Sequence, residues 1–83
     1  MFDKLKQLKE LKDLQDSLSK EKAEVDKNGI RVVINGKMEI EQIKLNPELA
    51  VEEQEKRLQE CINEAMKKVQ MIAAQKMSGL MNL

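Results

Sequence analysis

Two short alternating runs separated by Asn35-Gly36 constrain this chain more than any other feature. In Gly29-Ile30-Arg31-Val32-Val33-Ile34 the residues Ile30, Val32 and Ile34 fall on one face of an extended strand. Lys37-Met38-Glu39-Ile40-Glu41-Gln42-Ile43-Lys44-Leu45 supplies a second strand. An Asn-Gly pair between such runs signals a tight hairpin, because both central residues of a primed turn take positive φ. In the second run Met38 and Ile40 are even-numbered, while Ile43 and Leu45 are odd. One strict pleat cannot bury all four, so a bulge is expected near Glu41-Gln42. Upstream, Ala23-Glu24-Val25-Asp26 ahead of Lys27-Asn28-Gly29 reads either as a third strand or as the frayed end of a preceding helix.

The flanking segments carry helical signals. From Asp3 to about Lys22 there is no Gly or Pro, and leucines stand at Leu5, Leu8, Leu11, Leu14 and Leu18. Asp3 is the expected N-cap. Each step of three falls about 60° short of a turn, so the stripe winds around the helix. Either the early leucines meet another subunit while the later ones meet this chain's core, or all share one broad groove. Beyond the sheet, Asn46-Pro47-Glu48 is a helix opening. Leu58, Ile62, Ala65, Val69 and Ile72 then follow one face, widened by Met66, Ala73, Met77 and Leu80, and Gly79 is a natural stop. Val51 to Ser78 spans roughly 40 Å as a helix. A compact domain of this length has a radius of gyration of only about 12 Å, so the helix must overhang. The fold class is α+β in a single domain over residues 1–83: helix, small antiparallel sheet of two or three strands, long helix. A dimer completes it, with Leu5, Leu8, Ile62, Val69 and Ile72 as the expected interface.

Composition narrows the function. The 83 residues include no histidine, and Cys61 is the only cysteine. That excludes an internal disulfide, leaves no zinc set, and removes imidazole-based catalysis. No Gly-rich phosphate loop is present. The reading is therefore a binding protein, not an enzyme, with no cofactor, no metal and no small-molecule substrate. The start carries no signal-peptide pattern and no apolar run spans a membrane, so no membrane partner is expected and the cytoplasm is the expected location. The methionines and Cys61 read as packing residues.

The order of landmarks resembles the YbaB/EbfC family of nucleoid-associated proteins. A Leu- and Lys-rich helix opening with Met-Phe leads to Val32-Val33-Ile34-Asn35-Gly36. Ile43-Lys44-Leu45-Asn46-Pro47-Glu48-Leu49 follows, and the long helix ends near Gln75-Lys76-Met77. The family usually carries Asp where this chain has Asn46. The resemblance implies a tweezer-like homodimer, associated with the nucleoid, that binds double-stranded DNA with little sequence preference and bears on nucleoid organisation and gene expression.

Fifteen basic and fifteen acidic residues cancel, so any field for DNA must be local. Lys4, Lys6, Lys9 and Lys12 form one basic cluster. Lys67, Lys68 and Lys76 form another, after the last acid, Glu64. These seven are the candidate phosphate contacts, and equally the ordinary residues of a solvated helix face. With Phe2 the only aromatic, no stacking platform for single strands exists. The competing reading is a protein–protein adapter or chaperone-like helix–hairpin–helix module without DNA affinity.

Overall fold

A computed structural model describes residues 2–81; the side chains of Asp3 and Leu80, read above as a cap and a face residue, lie outside the described residues. Helix α1 (Phe2–Lys20) is followed by strands β1 (Lys22–Lys27), β2 (Ile30–Asn35) and β3 (Ile40–Lys44), then by helix α2 (Val51–Met81). The sheet is antiparallel in the order β1-β2-β3. The α+β expectation holds, and the Ala23–Asp26 segment resolves as a strand.

β2 is the centre because its β-branched residues pack on both neighbours. Ile30, Val32 and Ile34 are fully buried and sit opposite Lys27, Val25 and Ala23 of β1. α2 lies across β1 and β2, inserting Cys61, Ala65 and Val69. These small side chains let the helix backbone approach closely, and the Cys61 thiol points at the Ile30 carbonyl, 3.7 Å away.

The turns depart from expectation. Asn28 (φ 53°) and Gly29 (φ 84°) form a two-residue turn with positive φ at both positions, between β1 and β2. Asn35 and Gly36 do not take positive φ. There the hairpin uses a longer loop, closed by Asn35 N–H donating to the Glu39 carbonyl (2.9 Å) and Met38 N–H to the Asn35 carbonyl (2.9 Å). Met38 occupies the left-handed region instead (φ 68°). The expected bulge is present: Val33 pairs with Gln42 but Ile34 with Ile40, so Glu41 is the extra residue.

Helix ends also differ. Asp3 lies inside α1. Asn46-Pro47-Glu48 forms a turn, with Asn46 Oδ1 accepting from Glu48 N–H at 3.1 Å, and α2 begins at Val51. Gly79 does not stop α2, which continues to Met81; the glycine does not take the positive φ of a helix-ending residue.

The molecule is elongated, with extents of 59 × 19 × 14 Å and a radius of gyration of 16.7 Å, well above the compact value. The long axis has a simple origin. Lys76 lies about 37 Å along α2, and α1 runs on for about 22 Å from Ser17 to Phe2. Ser17 bonds Lys76, so the two lengths join end to end. α1 is an arm.

Candidate nucleic-acid interface

The arm displays its charges because little else touches it. Leu5, Leu8 and Leu11 remain 67%, 62% and 56% exposed, while Leu14 and Leu18 are half-buried near the body. Within the chain, only the later leucines of the stripe meet the body. Lys4, Lys6, Lys9 and Lys12 are exposed and make no ion pair among the described residues. By helical arithmetic Lys6, Lys9 and Lys12 lie within about 120° of arc, whereas Lys4 stands among the leucines.

On α2, Lys67 and Lys68 are exposed and also unpaired among the described residues. Lys67 points away from the sheet, and Lys68 stands beside β1 near Ala23 and Glu24. Lys76 is different. Its ammonium donates to Ser17 Oγ and pairs with Glu21 at 3.1 Å, so it is committed within the chain. The remaining ion pairs lie on the body. Lys27–Glu64 (3.0 Å) ties β1 to α2, Lys22–Glu41 (2.9 Å) spans the sheet, and Arg57 bridges Glu53 and Glu60. Hydrogen bonding to Lys27 lowers the Glu64 carboxyl below its ordinary range, and bonding to Lys22 and Asn35 does the same for Glu41.

Sequence spacing could not reveal that Lys20 and Lys37 flank one backbone bond. Gly36 N–H donates to the Glu21 carbonyl at 2.9 Å, which places these exposed lysines at the base of the arm. They stand seventeen positions apart, and no local pattern links them.

The residues expected at a dimer interface do not form one patch. Val69 is wholly buried in the chain's own core and has no surface to offer. Ile72 lies beside β1, Ile62 on the opposite flank of α2, and Leu5 and Leu8 on the arm. A separate apolar surface lies open beyond β2. α2 does not cover β3, so Ile40 and Ile43 stay 45% exposed with Leu45 beside them. Leu58 and Ile62 line a groove on the flank of α2 turned away from β1. No described helix is long and apolar enough to cross a membrane.

No curated protein and no solved structure matches the chain. The model of the YbaB/EbfC DNA-binding family matches residues 1–83, every residue of it. The chain belongs to the YbaB/EbfC DNA-binding family.

Proposed function

We propose that the protein binds double-stranded DNA as a homodimer with little sequence preference, acting in the nucleoid on its organisation and on gene expression. The observation that carries this reading is the projecting arm of a DNA-binding family member, on which Lys4, Lys6, Lys9 and Lys12 are exposed and unpaired among the described residues. Lys67 and Lys68 add charge along α2. Contacts of this kind go to phosphates and carry no sequence information. Lys76 is not among them, because Glu21 and Ser17 already occupy its ammonium.

The dimer surface is the uncovered apolar region around Ile40, Ile43, Leu45, Leu58 and Ile62, with Leu5, Leu8 and Ile72 outside it. At about 25 cal/mol per Å² of apolar area, covering several half-exposed aliphatic side chains stabilises a chain with so small a core.

A salt-titrated duplex binding assay tests the reading. Log affinity should fall linearly with log salt, by about 0.9 per phosphate neutralised, giving a loss of roughly 100-fold or more between 50 and 200 mM for four to six contacts. Replacing Lys4, Lys6 and Lys9 together with Gln should flatten the slope without changing relative affinity among duplexes. Absence of binding at low salt would defeat the proposal in favour of a protein–protein adapter. Sedimentation of Ile43→Asp as a monomer, against a dimeric parent, tests the interface.

A further inference from the structure

We propose that Lys76 is a clasp that sets the direction of α1, governing DNA binding by positioning the arm without touching phosphate. The inference rests on the reading of α1 as a DNA-contacting arm. Among the described residues, the hydrogen bonds that hold α1 to the rest of the chain lie near its C-terminal end. Leu18 packs its carbonyl over Gly36, the Gly36 amide donates to Glu21 (2.9 Å), and Lys76 reaches from α2 to Ser17 and Glu21 (3.1 Å for the ion pair). The first two fix where the helix ends. Among the described residues, Lys76 makes the one hydrogen bond between α1 and α2, and it is half-buried in a groove shared with Glu10, Asp13 and Leu14.

Leverage makes this junction matter. From Ser17 to Phe2 the arm is about 22 Å long, so a swing of about 10° at its base moves the tip by about 4 Å. Successive phosphates on one strand are about 3.4 Å apart along the axis. The same swing moves Lys4 by about 3.4 Å, a full phosphate step, and Lys6 and Lys9 by about 3 and 2 Å. An exposed ion pair contributes about 0.2–1 kcal/mol, enough to bias the arm's direction without locking it.

Glu21→Gln separates this mechanism from simple electrostatics. It removes an acid, so charge alone makes the variant bind DNA more tightly. A broken clasp makes it bind roughly two- to fivefold more weakly per arm, the range of an exposed ion pair, with the salt slope retained because no phosphate contact is lost. Lys76→Met should weaken binding equally. The double exchange Glu21→Lys with Lys76→Glu should restore affinity at unchanged net charge.

The arm angle is read without DNA. Spin labels on Gln7→Cys and Gln70→Cys, in a Cys61→Ala background diluted into unlabelled protein, report the α1–α2 distance distribution. Circular dichroism confirms that each variant is folded. Broadening in Glu21→Gln and Lys76→Met, narrowed again in the double exchange, supports the clasp. An unchanged distribution overturns it, as does tighter DNA binding by Glu21→Gln. Since the distances are measured on free protein, they judge the clasp even if the parent binds no DNA.

Discussion

Gly36 lies directly beneath the carbonyl of Leu18, so close that a Cβ built on Gly36 would overlap that oxygen. The glycine is required by an approaching backbone, not by its own φ. Gly36→Ala must push α1 off the hairpin, and should cost about 2–3 kcal/mol, in the range of strain at a special backbone position. Urea denaturation measures the loss. A melting curve superimposing on the parent's would show that α1 does not end there.

Met38 carries the positive φ expected of Gly36. A left-handed conformation costs an ordinary L-residue about 1–2 kcal/mol, and a glycine there loses about 0.5–1 kcal/mol of that gain to unfolded-state entropy. Met38→Gly should therefore raise stability by up to about 1 kcal/mol, and Met38→Val should lower it, because β-branching tolerates that region worst. Thermal melts of the three proteins should rank Gly above Met above Val.

Asn46 donates from Nδ2 to the Asn28 carbonyl at 2.8 Å and accepts from Glu48 N–H. Asp retains the second bond and sets an oxygen against the Asn28 carbonyl. Asn46→Asp should cost about 0.5–1.5 kcal/mol at neutral pH, the net contribution of one solvent-exposed hydrogen bond. The deficit relative to the parent should shrink in acid, where a protonated Asp can donate again. A deficit independent of pH would point to another cause.

The Lys27–Glu64 pair shapes the pH dependence. Hydrogen bonding to Glu64 raises the Lys27 ammonium above its ordinary 10.5, and the same bond lowers Glu64 below its ordinary 4.5. The depressed carboxyl contributes stability above its unfolded value that is lost as pH falls through the folded one. The raised ammonium contributes below its unfolded value and loses that contribution as pH rises through the folded one. Stability should thus decline at both extremes. Glu64→Gln should flatten both arms of a pH-dependent unfolding profile, whereas an unaltered alkaline arm would remove Lys27 from the account.

The two Asn-Gly pairs show what local sequence can and cannot convey. Asn28-Gly29 forms the tight turn that the dipeptide favours. At Asn35-Gly36 the surroundings prevail: Asn35 Oδ1 accepts from the amides of Lys37 (2.9 Å) and Glu39 (3.2 Å), its Nδ2 reaches Glu39 and Glu41, and Leu18 bears down on Gly36. The partners of Asn35 lie within six positions but belong to the loop and the bulge, and Leu18 arrives from α1, beyond any local window. The bulge itself was legible, because the shift from Ile40 to Ile43 breaks parity within one strand. The helical spacing of Leu58, Ile62, Ala65 and Val69 likewise placed α2, but it could not separate Val69 inside the core from Ile62, half-buried at its margin. Lysines were legible as charges and not as pairs. Nothing near Lys76 announces Glu21, which lies fifty-five positions earlier.

Cys61 gives the molecule an internal clock. Its thiol is sealed between α2 and β2 beneath the Ile30 carbonyl, and burial pushes its pKa up, so the reactive thiolate is scarce while the helix stays seated. Alkylation at Cys61 then counts the occasions on which α2 lifts from the sheet, independently of what the arm is doing. DNA that grips only the arm leaves that count unchanged. If the proposed second copy closes over the β3 side and restrains α2 itself, the count slows as protein concentration rises through the dimer's dissociation constant.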